Sequence, residues 1–147
     1  MSVDLWLAVL HHLLFLGLIA MLVSEATLLR SVDVDVARLS RIDLGYGLAA
    51  LLVFGVGLAR VFYGGKGWAF YQDNPWFWAK IATFVLIGLI SILPTMKFTA
   101  WAKRRRHEPG WSPPASELRP VRRAVMVSMV LLAPLLGFAA AMARHAS

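Results

Sequence analysis

Four long stretches of apolar residues alternate with shorter polar connections along the chain. The stretches cover roughly residues 5–29, 44–62, 76–96 and 122–143. As α-helices rising 1.5 Å per residue, segments of about 20 residues are long enough to cross the ~30 Å hydrocarbon core of a bilayer. The pattern predicts an all-α protein, an integral membrane four-helix bundle in which residues 1–147 form a single four-span transmembrane domain.

The basic residues fall mainly on alternate connections between these stretches. Eleven of the 15 Lys and Arg residues lie after the first stretch or after the third. They are Arg30, Arg38, Arg41, Lys97, Lys103, Arg104, Arg105, Arg106, Arg119, Arg122 and Arg123. The positive-inside rule therefore places both termini on the outer, periplasmic side of a bacterial inner membrane. This topology signal explains the basic composition, so we expect the lipid bilayer as a partner and no nucleic acid.

The chain lacks basic residues before its first apolar stretch and lacks cysteine altogether, and both facts limit what it can be. Residues 1–4 hold no basic residue, so the first apolar stretch lacks the cationic start of a secretory signal and is expected to remain in the mature protein. The chain also has no cysteine, which excludes disulfides, thiolate metal sites and thioether-linked haem. Any ligand must be bound through nitrogen, oxygen or thioether groups.

Ionisable side chains within the predicted spans are candidate site residues, because burying them in hydrocarbon is unfavourable without a partner. His11 and His12 lie near the outer end of the first span, Arg60 lies at the outer end of the second, and Lys80 lies about one turn into the third. Neighbouring residues on a helix point about 100° apart, so only one of the two histidines is expected to face a shared ligand.

The outer connection between the second and third spans is rich in aromatic residues, with eight among residues 62–78. Aromatic belts at the headgroup level explain some of them. Their density favours a folded cap over the outer mouth of the bundle. Lys66 lies in this connection, and His145 lies just past the outer end of the fourth span.

Acidic and basic residues also cluster near the inner ends of the first two spans. Glu25, Arg30, Arg41 and Asp43 are expected to form ion pairs that fix the helix ends. Residues 30–43 mix alternating valine and aspartate with other charges, and this pattern does not predict a helix.

Histidine, lysine and arginine at one depth in an apolar bundle favour a porphyrin ligand. A porphyrin ring requires an apolar slot, its iron requires an imidazole, and its propionates require cations near the water boundary. We predict a haem b with His11 or His12 as axial ligand and with Arg60, Lys80 and Lys66 near the propionates. The protein would exchange electrons with a quinone or another electron-transfer partner, which makes an oxidoreductase one expectation.

Two segments carry a resemblance to known families. The first-span segment HHLLFLGLIAMLVSEATLLR and the third-span segment PWFWAKIATFVLI resemble the four-helix membrane protoporphyrinogen IX oxidases of the HemJ type. They resemble membrane copper-resistance D proteins more distantly, and the whole chain more closely resembles a bacterial family of predicted membrane proteins without assigned function. The oxidase resemblance implies functional roles for His11 or His12 and for Lys80. Because two histidines precede Gly17 where the oxidases have one, we expect haem binding ahead of porphyrinogen oxidation.

Two further functions are compatible with the same residues. His11, His12 and His145, together with Met142, offer imidazole and thioether donors for a copper or other metal permease or sensor. The chain is also compatible with a non-catalytic membrane subunit whose aromatic outer connection docks a partner, and with a homo-oligomer. An absorption spectrum combined with metal analysis would separate these functions.

Overall fold

The computed structural model describes residues 2–145, which form a bundle of four long helices and one short helix. The helices are α1 (Val3–Leu28), α2 (Val36–Tyr63), α3 (Trp68–Gln72), α4 (Pro75–His107) and α5 (Ala115–Arg144). Helix accounts for 85% of the structure, and residues 2–145 contain no strand, so the predicted all-α fold is confirmed. All four long helices are long and apolar enough to cross a membrane.

Side chains that precede the helices fix where three of them begin. Ser2, Asp35 and Asn74 each accept a backbone N–H of the first turn through a side-chain oxygen. Such caps satisfy donors that have no partner within the helix. Pro75 follows Asn74 at the start of α4, where the missing N–H of proline breaks no helical hydrogen bond.

Helices α2 and α4 extend beyond the apolar stretches that predict them. Because α2 begins at Val36, the expectation that residues 30–43 are not helical is wrong for the second half of that segment. Helix α4 continues to His107 through the basic residues 103–106. Hydropathy detects the part of a helix that faces lipid, whereas arginine, lysine and alanine continue a helix in water without an apolar signal.

The helices pack in two close pairs, α1 with α2 and α4 with α5, and α2 also contacts α4 across the bundle. One end of the bundle, which we call the basic end, carries the connections 29–35 and 108–114. Its interior is fully packed, with Leu39, Phe98 and Val121 all 0% exposed. There the indole nitrogen of Trp101 also donates to the Glu117 carboxylate at 2.6 Å, joining α4 to α5.

Large apolar side chains cover the outside of the bundle. Leu13, Leu51, Leu89 and Val130, one from each long helix, are all 60% exposed or more. An apolar surface of this extent on every side is unfavourable in water and favourable in lipid. The bundle therefore contacts the bilayer with all four of its long helices.

Candidate functional site

A cavity of about 300 Å³ lies at the other end of the bundle, which we call the cavity end. Here α1 and α4 begin, α2 and α5 end, and α3 lies between α2 and α4. The walls of this main cavity are mostly apolar and include Phe15, Phe54, Phe70, Phe77 and Phe84. Its volume lies at the lower end of the range for small-molecule sites in proteins, about 300–1,000 Å³.

Basic side chains from four parts of the chain meet at the main cavity. His11 from α1, Arg60 from α2, Lys80 from α4 and Lys66 from the α2–α3 connection all line it. The Lys66 ammonium lies 4.5 Å from the centre of the Phe70 ring. Among residues 2–145 no carboxylate forms an ion pair with any of these four side chains. The site therefore has uncompensated positive charge, which favours an anionic ligand.

A glycine on the facing helix determines where His11 lies. A Cβ added to Gly57 would be 3.3 Å from Cε1 and 3.7 Å from Nδ1 of His11. Because glycine has no Cβ, the imidazole lies directly against α2, next to the Val53 carbonyl. Its Nδ1 is buried and has no hydrogen-bond partner of good geometry in the part of the chain that the structure describes. Nε2 is the ring nitrogen that remains available to the cavity.

His12 points to the outside of the bundle. Its side chain is exposed, and its Nδ1 donates to the Ala8 carbonyl at 2.6 Å, one turn earlier in α1. Its ring lies 6.1 Å from that of His11 and almost perpendicular to it. Both histidines line the main cavity, His12 from its exposed edge and His11 from a half-buried position against α2.

The alternative metal site of His11, His12 and His145 is not assembled in the structure. His145 is exposed and does not line the main cavity, although Met142, one turn earlier, does. Within residues 2–145, no three His, Cys, Asp or Glu side chains are close enough together to hold a metal ion. His145 caps the C-terminal end of α5, beyond the residues of this helix that line the main cavity.

The aromatic connection folds against the cavity end and joins the helices there. Tyr71 of α3 and Phe77 of α4 pack with Val61 of α2 in a second small core. Asn74 is fully buried and its amide donates to the Met142 carbonyl at 3.2 Å, which attaches the connection to α5. Burial raises the pKa of the Tyr71 phenol, so this group stays neutral at physiological pH.

Glu25 and Asp43 lie beside each other instead of pairing with arginines. They are 1% and 6% exposed, and their carboxyl groups are close neighbours in the interior of the bundle. Arg30 and Arg41 are exposed, so the prediction of ion pairs among these four residues is wrong. Because α2 is already helical at this point, Arg41 turns outward and Asp43 turns toward the core.

A second cavity of about 250 Å³ lies next to the main cavity, and its lining includes Tyr46 and Thr95, which are neighbours of this carboxyl pair. Phe15 and Phe84 line both cavities. The polar side chains of the second cavity are Tyr46, Ser91 and Thr95. The spacing of Ser91 and Thr95 predicts that they share one face of α4, but the sequence does not show that Tyr46 joins them, because it comes from α2.

Comparison with known proteins places the chain in a family. The sequence profile of a family described as predicted membrane protein, DUF2214, matches residues 3–146. The chain belongs to this family. No curated protein and no solved structure matches it. The expected membership in a family of predicted membrane proteins is thereby confirmed, and the resemblance to the HemJ-type oxidases stays a prediction.

Proposed function

We propose that this protein binds a b-type haem in the main cavity, with His11 as axial ligand, and takes part in electron transfer within the membrane. One observation carries the proposal: an imidazole with an available Nε2 shares an apolar, aromatic cavity with the unpaired cations Arg60 and Lys80. The iron of a haem needs the imidazole, the porphyrin ring needs the apolar cavity, and the propionates need the cations.

The surroundings of His11 fit the role of an iron ligand. A metal-bound histidine usually donates its second ring N–H to a backbone carbonyl, which fixes the orientation of the ring. The Val53 carbonyl lies next to the imidazole, and the buried Nδ1 has no other partner within residues 2–145. Donation from Nδ1 to this carbonyl would leave Nε2 for the iron. A haem bound there would supply reversible one-electron chemistry.

The basic side chains of the cavity fit the propionates. Nε of Arg60 is buried without a hydrogen-bond partner among the described residues. A buried cationic donor that lacks a partner destabilises the protein, so a carboxylate ligand would be stabilising at this position. Lys80 would bind from α4 on the other side, and Lys66 would contribute from the exposed edge of the cavity.

The cavity also reaches the lipid-facing surface of the bundle. Phe54, Leu58 and Leu136 line it and are 37%, 36% and 51% exposed. A lipophilic electron carrier such as a quinone can therefore approach the bound group from the bilayer. Porphyrinogen oxidation, which the HemJ-type resemblance suggests, would be the enzymatic form of the same proposal.

A visible spectrum of the purified protein, before and after loading with haem, tests the proposal. We expect a Soret band that is lost in His11→Ala and kept in His12→Ala, because His12 is already bonded to its own helix. Absence of a band after loading, or equal bands in the two variants, would overturn it. Bound copper without a chromophore would instead favour the metal permease or sensor. Co-purification with a larger complex would favour the non-catalytic membrane subunit.

A further inference from the structure

We propose that Glu25 and Asp43 form a proton-binding site inside the bundle, which exchanges its proton with the main cavity by way of Thr95, Ser91 and Tyr46. The proposal concerns side chains outside the porphyrin site. It does not depend on the identity of the ligand in the main cavity.

The carboxyl pair has the properties of a site that holds one proton. Both side chains are almost fully buried, and Oε1 of Glu25 has no hydrogen-bond partner among residues 2–145. No basic side chain of the described residues forms an ion pair with either carboxyl. Arg122 of α5 donates instead to the Leu29 carbonyl at 2.8 Å. Two adjacent carboxylates without a cation repel each other strongly at low dielectric, and one shared proton removes that repulsion.

The protein closes this pair off from the basic end. Leu29, Val36, Leu39, Phe98 and Trp101 pack there, and each is 2% exposed or less. They belong to one continuous hydrophobic core. A packed apolar layer offers no donors or acceptors along which a proton could move. Exchange in that direction is therefore unfavourable.

Polar groups lead from the pair in the other direction. The Thr95 hydroxyl lies against the Asp43 carboxyl. Tyr46 is near both carboxyls, and its hydroxyl lies 3.3 Å from Oγ of Ser91. All three hydroxyls line the second cavity, whose volume of about 250 Å³ has room for water. The Ser91 hydroxyl donates to the Ile87 carbonyl at 2.8 Å, so it would have to rotate to pass on a proton received from Tyr46. With that rotation, the hydroxyls and water in the cavity would form a chain of groups that can each donate and accept a proton.

The second cavity lies next to the main cavity, and a proton would pass between the two where the apolar side chains that separate them move aside. Phe15 and Phe84 form walls common to both. Uptake breaks an O–H bond of a protonated donor in the cavity and forms one O–H bond on the carboxyl pair, which then carries one negative charge instead of two. Release is the reverse, and no other reactant is needed. At neutral pH the pair thus holds a proton that it can donate to chemistry in the main cavity and later take up again.

Infrared spectroscopy of the protein in lipid vesicles at neutral pH tests for the bound proton. We expect the C=O stretch of a protonated carboxylic acid, shifted when the carboxyl carbons of Asp and Glu are labelled with ¹³C. This band should be lost in Glu25→Gln and changed in Asp43→Asn. Glu117→Gln is the matched control and should leave it unchanged, because Glu117 lies at the basic end. A wild-type protein without the band overturns the proposal whether or not the variants fold.

The same sample distinguishes a proton from an alkali cation. The band should be equal in sodium chloride and in choline chloride, since a proton already occupies the pair. Loss of the band in sodium chloride alone would mean that the carboxyls bind the metal ion, and would overturn the assignment to a proton.

Transfer of the vesicles to D₂O tests the route. We expect the shift of the carboxyl band to be slower by about tenfold or more in Tyr46→Phe and in Ser91→Ala, because each removes a hydroxyl that relays the proton. Thr99→Ala is the control, because its exposed hydroxyl bonds the Thr95 carbonyl and lies off the route. Equal rates in all these proteins would overturn the route. The measurement needs no haem, so its failure and the failure of the porphyrin proposal are separate results.

Discussion

Gly57 gives the His11 ring the space in which it lies against α2. We predict that Gly57→Ala weakens haem binding, because the added methyl group would lie 3.3 Å from Cε1 and push the ring from its position. A displaced or off-rotamer side chain costs ~0.5–1.5 kcal/mol, which corresponds to about a threefold to tenfold loss of affinity. Haem titration followed by absorbance measures it.

Gly55→Ala is the matched control for this prediction. A Cβ at Gly55 meets no atom within 4 Å. Alanine is the better helix former, so this variant should keep its haem affinity and gain up to about 1 kcal/mol of stability. Equal loss of affinity in the two variants would show that the position of His11 does not depend on Gly57.

The hydrogen bond between Trp101 and Glu117 is the shortest contact between side chains at the basic end, at 2.6 Å. We predict that Glu117→Ala destabilises the bundle by ~1–3 kcal/mol, because the buried indole N–H loses its acceptor. Glu108→Ala should cost less than about 1 kcal/mol, because its ion pair with Arg104 is exposed. Unfolding in mixed micelles compares the two, and a larger effect of Glu108→Ala would contradict the argument.

At the scale of the helices, the contact of α1 with α2 depends on a small residue at Gly45. A Cβ there would lie 2.8 Å from Sδ of Met21, whereas a Cβ at Gly47 meets nothing within 4 Å. We predict that Gly45→Leu destabilises the bundle by ~1–3 kcal/mol through overpacking, and that Gly47→Leu, two residues away, is tolerated. The free energy of unfolding in micelles tests the pair. Equal effects would mean that neither glycine sets the distance between the helices.

The helices show which features the sequence could predict. Spans of about 20 apolar residues identify the four long helices because lipid imposes that length. The shared depth of His11, Arg60 and Lys80 was also predictable, since each lies near the cavity end of its helix. The sequence could not predict which of His11 and His12 packs against α2, because the contact with Gly57 depends on the rotation of α1. The pairing of Glu25 with Asp43 was missed because charge complementarity favoured the nearby arginines. The sequence does not show that Arg41 turns outward on α2 or that Arg30 is exposed in the connection after α1.

At the scale of the whole molecule, orientation in the membrane stays a prediction from the basic residues. We expect the basic end in the cytoplasm, because positively charged connections are retained on that side. Since the chain has no cysteine, single variants give an unambiguous assay. A membrane-impermeant maleimide should label Gly65→Cys, in the exposed α2–α3 connection, in intact cells and Ser31→Cys only after lysis. The reverse labelling would invert the topology.

The bundle is closely packed at the basic end, while two cavities with volumes of about 300 and 250 Å³ occupy the rest of its length. Side chains that border empty space change rotamers easily, whereas those in a dense interior resist compression. Stiffness is therefore graded along the long axis. We therefore expect the phenylalanine rings around the cavities to change rotamers more readily than the core of the basic end, which holds the backbone of all four spans in register.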